Sequence, residues 1–144
     1  MKADYKVRDF MTQNPFFIGA GETVVTAKKM MHEHKIRHLP VLQNGEVFGI
    51  VSDRDIKMAT GLVGASPDLV LVRHICRENP YQVDPDSLLY HVAEAMSMNR
   101  YGCALVTHNK KLLGIFTTVD ACRALSVVLR EHSEAHASEV HGKK

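Results

Sequence analysis

The chain has 144 residues, of which 45% are hydrophobic and 24% charged, so it can bury a core of the size of one compact domain. Its net charge of +2 with neutral histidines forces neither a nucleic-acid nor a membrane partner, and no apolar run approaches the roughly 20 residues that span a bilayer. The three cysteines lack C-x-x-C spacing and the first residues lack the apolar stretch of a signal peptide, so we expect a reducing cytoplasm and no disulfides.

The sequence repeats itself after 65 positions without a gap. Shifting residues 7–59 onto residues 72–124 gives eleven identities in 53 positions. The identical pairs are Val7/Val72, Arg8/Arg73, Asn14/Asn79, Pro15/Pro80, Met31/Met96, Val41/Val106, Asn44/Asn109, Gly49/Gly114, Ile50/Ile115, Asp55/Asp120 and Ala59/Ala124. A duplication of this size predicts two similar lobes about a pseudo-twofold axis, with clefts between them where small molecules bind.

Each copy predicts the order strand, helix, strand, strand, helix, which is an α/β (α+β) unit. In the first copy, an extended segment at 16–18 follows Asn-Pro, and the next helix has the apolar stripe Val24, Ala27 and Met31. A buried strand at 39–42 is joined by an Asn-Gly hairpin turn at 43–46 to a strand at 47–51. The second helix begins at Ser52. In the second copy they are 81–83, a helix with Leu89, Val92 and Met96, a strand at 104–106, a turn at 108–111, a strand at 112–116 and a helix from Thr117.

The regions outside the copies predict the domain boundaries. Residues 61–68 are rich in Gly, Ser and Pro, which is typical of a loop. The last helix is expected to end near Arg130, and residues 131–144, which have few large apolar side chains, are expected to fray. We therefore predict domains at 5–62 and 71–128, a linker at 63–70, and a helix end with a flexible tail at 129–144.

This pattern resembles the CBS domain pair, also called a Bateman module, over residues 5 to about 128. The segments that carry the resemblance are Val7–Thr12, Ile36–Val41, Gly49–Asp55 and Gly114–Asp120. It implies tandem CBS domains in a stand-alone regulatory protein that forms a homodimer. The implied ligand is an adenine nucleotide (AMP, ADP or ATP, sometimes NAD or S-adenosylmethionine) that changes the activity of a partner protein, with no required cofactor.

An S/T-x-x-D pattern occurs in both copies, as Ser52/Asp55 and Thr117/Asp120. After a strand, such a pattern caps a helix, and for an isolated match the cap alone is the better interpretation. The same helix N-terminus suits a phosphate, and a carboxylate can accept hydrogen bonds from a ribose diol. In the resembling family the Asp contacts ribose and the Ser or Thr contacts phosphate. Because both copies keep the pattern after Gly-Ile, we predict that these four residues bind nucleotide.

Basic residues distinguish the two copies. Arg37 and His38 precede the buried strand, and in the resembling AMP-activated kinase regulatory subunit basic residues at these places contact phosphates; the alternative is a solvated pair. Arg54 is either a further phosphate contact or a surface charge. The counterparts of these residues in the second copy are Gly102, Cys103 and Val119. The two pockets are therefore predicted to be unequal.

The candidates for an apolar adenine slot are the first-strand residues Phe16, Ile18, Tyr81 and Val83, for each of which core packing is the alternative. Of these, Ile18 and Val83 are predicted as ligand contacts, because ligands in the resembling family commonly pass the first strand. The histidines and cysteines have no zinc spacing, so no designed metal site is predicted. Neither a nucleophile–base pair nor a Walker-type loop is present, which argues against an enzyme.

Two other functions stay open. A dimeric adaptor with vestigial pockets is supported by the poor basic lining of one pocket. Nucleic-acid binding, which some CBS proteins show, is the least favoured, because the basic residues are scattered and the net charge is small.

Overall fold

A computed structural model of the chain describes residues 4–63 and 67–142. These residues form two four-stranded sheets and five α-helices, which confirms the predicted mixed α/β class. The helices are α1 (Val24–His34), α2 (Asp53–Val63), α3 (Val72–Ile75), α4 (Leu89–Asn99) and α5 (Thr118–Gly142). The strands are β1 (Thr12–Gln13), β2 (Ile18–Gly19), β3 (His38–Gln43), β4 (Glu46–Ser52), β5 (Arg77–Glu78), β6 (Gln82–Val83), β7 (Cys103–His108) and β8 (Lys111–Thr117).

Each sheet takes one strand from the other copy of the repeat. The first sheet has the order β2-β3-β4-β5 and the second has the order β1-β8-β7-β6. β5 begins the second copy yet pairs antiparallel with β4 of the first, and β1 begins the first copy yet pairs antiparallel with β8 of the second. The two lobes therefore exchange their N-terminal strands, and the exchange is reciprocal.

The exchange explains the one glycine position that the copies share, Gly49 and Gly114. A Cβ atom at Gly49 would lie 2.5 Å from the carbonyl oxygen of Arg77 on the strand that crosses it. A Cβ atom at Gly114 would lie 2.9 Å from the carbonyl oxygen of Thr12 and 2.6 Å from the Met11 sulfur. Any side chain at either position would push the exchanged strand away, so the repeated glycine is a packing requirement.

The hydrophobic cores follow the exchanged arrangement. Val72 of the second copy is fully buried in the first core, and Val7 and Phe10 of the first copy are buried in the second. A third, smaller cluster joins the two sheets; its members are Cys103, Leu105 and Ile115, with Val47, Ile50 and Leu112 packed against them. The apolar stripes predicted for α1 and α4 are buried in the first and second cores.

The two hairpin turns form as predicted, but the backbone at the two Asn-Pro steps is unusual. Both predicted hairpin turns form, with positive φ at Asn44 and Gly45 and at Asn109 and Lys110. The Asn of each Asn-Pro step has positive φ, 48° and 55°, although a residue before proline ordinarily prefers an extended conformation. Asparagine tolerates this region better than most residues, so it overrides the preference that proline imposes on its neighbour.

Two helices are longer than predicted. α2 continues to Val63 and includes Gly61, which was assigned to a loop; the predicted linker residues 64–66 lie outside the described residues. α5 continues to Gly142 instead of ending near Arg130, because no Pro or Gly interrupts residues 118–141. The hydroxyl of Tyr5 also donates a hydrogen bond to the Glu131 carboxylate, which ties this part of α5 to the start of the chain. Within the described residues, no helix has both the length and the apolarity needed to cross a bilayer.

Candidate functional site

A cavity of about 760 Å³ lies between the N-terminus of α2 and residues of the second copy. Its volume is within the range of small-molecule sites, roughly 300–1,000 Å³. We call it the first cleft. It is lined by Arg37, His38, Ile50, Ser52, Asp53, Arg54, Asp55, Lys57, Met58, Arg77, Glu78, Asn79, Pro80, Tyr81, Arg100, Tyr101, Gly102 and Cys103. Five of the predicted site residues are thus brought together: Arg37, His38, Ser52, Arg54 and Asp55.

Asp55 caps α2 with only one of its two carboxylate oxygens. The backbone N–H of Ser52 donates to Asp55 Oδ2 and the backbone N–H of Asp55 donates to Ser52 Oγ, both at 3.0 Å. The other oxygen, Oδ1, lies 3.7 Å from Nε of Arg77, whose side chain is 74% exposed. The cap and a ligand contact are therefore compatible, because Oδ1 remains available to accept hydrogen bonds.

The first cleft has an excess of positive charge. Five cationic side chains line it, Arg37, Arg54, Lys57, Arg77 and Arg100, against the three carboxylates Asp53, Asp55 and Glu78. Lys57 is paired with Asp53 at 2.9 Å, whereas Arg37, Arg54 and Arg100 have no ion pair with any described residue. Together with the N-terminus of α2, these guanidinium groups favour an anionic ligand.

His38 reaches across from the first copy to the second. A Cβ atom at Gly102 would lie 2.8 Å from Nε2 of His38, so the imidazole packs directly on the glycine. Burial lowers the pKa of His38 below its ordinary value; the Asp55 carboxylate opposes this shift and Arg37 adds to it. Gly102 is the counterpart of Arg37, and its lack of a side chain makes room for His38 at the interface between the copies.

Two aromatic rings stand at the second-copy side of the cleft. Tyr81 and Tyr101 are stacked with ring centroids 5.0 Å apart and an interplanar angle of 27°. Ile18 is buried in the first core and Val83 packs against the second, and neither lines this cleft. Tyr81 is one of the four first-strand candidates for the adenine slot, although it is not among the two predicted site residues, whereas Tyr101 was not predicted at all.

The cleft also contains a thiol, at Cys103. Burial raises the pKa of the Cys103 thiol to about 12, so it is protonated at neutral pH and a poor nucleophile. Among the described residues, no cluster of three or more His, Cys, Asp or Glu side chains is placed to hold a metal ion.

The region around Asp120, which we call the second cleft, is built differently. Asp120 is 6% exposed, and Thr117 donates to its Oδ2 from both the backbone N–H (2.9 Å) and Oγ1 (3.1 Å). Thr12 Oγ1 and an Nη of Arg123 both donate to Oδ1 at 3.2 Å. Both carboxylate oxygens are therefore occupied, and neither Thr117 nor Asp120 lines the first cleft.

The shift of 65 positions shows which substitutions produce this difference. Thr12 of the second cleft corresponds to Arg77 of the first, and Arg123 corresponds to Met58. A cation thus stands beside each aspartate, but it comes from the exchanged strand in one cleft and from the helix in the other. This difference was not predicted, although the alignment of the two copies contains both pairs of residues.

Comparison with known proteins gives consistent matches over most of the chain. The family model described as CBS domain matches residues 7–60 and 72–127. Hypoxic response protein 1 of Mycobacterium tuberculosis is 28% identical over 119 residues, which cover 82% of this chain and 83% of that protein.

Solved structures give similar matches. A crystal structure of a putative acetoin utilization protein (AcuB) from Vibrio cholerae has a TM-score of 0.83 and 28% identity, covering 92% of this chain and 98% of that one. A crystal structure of CBSX2 in complex with AMP has a TM-score of 0.74 over 86% of this chain and 98% of that one; at 24% identity it shows the fold alone.

Proposed function

The chain belongs to the CBS domain family and contains the predicted tandem pair, and we propose that it is a regulatory module whose first cleft binds an adenine nucleotide. The observation that carries the proposal is the arrangement around Asp55, where one carboxylate oxygen is left open in a cavity with an excess of cations. The ribose, the phosphate and the adenine of a nucleotide each match a different part of this lining.

The ribose is assigned to Asp55. Oδ2 is used by the helix cap, and Oδ1 faces the cleft, where the exposed Arg77 lies 3.7 Å from it. A carboxylate oxygen with two lone pairs can accept from a vicinal diol, and hydrogen bonds to a charged acceptor are stronger than those between neutral groups. A diol placed here binds without disturbing the cap of α2.

The phosphate is assigned to the N-terminus of α2. The side-chain hydroxyl of Ser52 and the cations Arg37 and Arg54 border this point, with Arg100 contributed by the second copy. Guanidinium groups match phosphate oxygens in pairs, and the positive end of the helix dipole adds to the attraction. Because these three arginines have no ion pair within the described residues, a phosphate would not have to displace a protein carboxylate from them.

The adenine is assigned to the side of the cleft formed by Tyr81 and Tyr101, in place of the predicted Ile18 and Val83. A stacked aromatic pair offers the flat apolar surface on which a purine packs. The similar fold that holds AMP supports an adenine ligand in this architecture.

Regulation follows from the position of the cleft between the copies. A ligand that contacts Asp55 in one copy and Tyr101 in the other stabilises the arrangement of the copies in which both contacts are made. We propose that this arrangement is read by a regulated partner protein and by a second copy of the chain. Support for a homodimer comes from the apolar side chains exposed on α4 and α5, which are Tyr90, Met98, Val119, Leu125 and Leu129. The module is proposed to act by binding and not by catalysis.

Isothermal titration calorimetry tests the proposal with AMP, ADP, ATP and NAD on the wild type and on Asp55→Ala. We expect binding of at least one nucleotide, and a loss of affinity of roughly 10-fold or more in the variant, since a hydrogen bond to a charged group contributes about 1.5–3 kcal/mol. Glu33→Ala, at an exposed carboxylate on α1 that pairs only with Lys29, is the matched control and should bind like the wild type. Absence of binding heat with all four nucleotides would refute the proposal and favour the adaptor.

A further inference from the structure

Arg123 contacts both Asp120 and the segment of the first copy that packs in the second core. Its guanidinium donates to Asp120 Oδ1 at 3.2 Å and to the backbone carbonyl oxygen of Phe10 at 2.7 Å. The guanidinium carbon also lies 6.0 Å from the centre of the Phe10 ring. Phe10 is buried in the second core, so these contacts fix Arg123 against a rigid part of the exchanged segment.

The aspartate that Arg123 contacts has no capacity left for a ligand. Asp120 accepts from Thr117 at one oxygen, and from Thr12 and Arg123 at the other. A diol at this carboxylate would have to displace a charged donor and a hydroxyl that are already in place. The Arg123 side chain is 56% exposed, so it is the hydrogen bond to the Phe10 carbonyl oxygen, and not burial, that holds the guanidinium against Asp120.

The first cleft lacks the corresponding group. The counterpart of Arg123 is Met58, an uncharged side chain that lines the first cleft and is 52% exposed. Arg77, the cation that approaches Asp55, is 3.7 Å away and largely exposed, so it can move aside at little cost. The difference between an open and a closed carboxylate therefore depends on the residue three positions after each aspartate.

We propose that Arg123 acts as an internal occupant of the second cleft, so that each chain binds one ligand where its repeated architecture offers two. The nature of the ligand rests on the proposed function, whereas the closure of the second cleft by Arg123 does not. Ligand then binds at Asp55 of the first cleft, whereas Asp120 of the second cleft keeps its contacts within the protein whether or not ligand is present.

Exchanging the counterpart residues tests the assignment through stoichiometry. Calorimetry with AMP and with ATP should give one site per chain for the wild type. Arg123→Met should add a second site while leaving the affinity of the first unchanged. Met58→Arg should weaken the first site at least ten-fold, because the new guanidinium lies three residues from Asp55 on α2 as Arg123 does from Asp120 on α5. Two sites in the wild type, or a single site in Arg123→Met, would overturn the proposal.

Thermal unfolding without nucleotide provides a test that does not depend on the proposed function. Arg123→Met should lower the unfolding midpoint by roughly 3–5 °C, and in an Asp120→Asn background the same substitution should cause less than half of that loss. Equal losses in both backgrounds would show that Arg123 does not close the cleft through Asp120. A wild type that binds no nucleotide but shows this coupling would reject the proposed function and leave the closure standing.

Discussion

The two clefts start from the same S/T-x-x-D pattern and use it for different purposes. At Asp55 the pattern caps a helix and leaves one oxygen open to a cavity, whereas at Asp120 both oxygens bind the protein itself. The Asp55 side chain is 13% exposed and that of Asp120 is 9% exposed, and the arginine that approaches Asp55 is 74% exposed. Asp120 joins α5, the exchanged strand β1 and the segment that contains Phe10. The repeated motif therefore identifies the helix cap, and the side chains around its aspartate determine whether that aspartate can also bind a ligand.

The largest expected effect that separates the clefts is on stability. Asp120→Ala removes the acceptor of Arg123, Thr12 and Thr117, and should lower the free energy of unfolding by about 2–4 kcal/mol. Asp55→Ala removes one capping contact and a weak ion pair, so it should cost about 1 kcal/mol. Urea unfolding of both variants measures the difference. Equal losses would mean that Asp55 and Asp120 contribute equally to stability, which would contradict the difference between the two clefts.

The elements of each lobe can be predicted from the sequence, whereas the way in which the two lobes pair cannot. The 65-residue offset, the apolar stripes and the Asn turns predict the elements of each lobe, because these depend on local periodicity and backbone preference. The exchange of β1 and β5 between the sheets is a choice of pairing partner, which periodicity within one copy does not encode. Arg77 and Tyr101 reach the first cleft only through the meeting of the two copies, so the residue pattern around Asp55 did not indicate them.

The inequality of the clefts was predictable, but its cause was not. Comparison of Arg37 with Gly102 indicated a poorer basic lining in the second copy. The structure instead places Gly102 under His38 within the first cleft, so this glycine serves the first cleft as well. The closure of the second cleft arises from Arg123, a residue that lies outside the motif and is recognised only when the copies are aligned beyond it.

A smaller effect is expected from filling the space that Gly102 leaves for His38. In Gly102→Ala the new Cβ atom would lie 2.8 Å from His38 Nε2, and the cost should be about 1–2 kcal/mol, because the imidazole has to rotate. Urea unfolding should show that His38→Ala restores most of this loss in the double variant. Gly61→Ala is the matched control: no atom lies within 4 Å of the added Cβ and the site is helical, so stability should rise by about 0.5–1 kcal/mol. A loss in Gly102→Ala that persists without His38 would contradict the contact.

The smallest effect is the pH dependence that His38 gives to the first cleft. Because burial lowers the pKa of His38, the folded state binds fewer protons than the unfolded state between the folded value and the ordinary value near 6.5. Stability from this group is therefore complete above the unfolded pKa and is lost as the pH falls through that window. His38→Gln should reduce the loss of stability between pH 7.5 and 5.5, measured by urea unfolding. An identical pH dependence in wild type and His38→Gln would show that burial of the imidazole does not disfavour its protonated form.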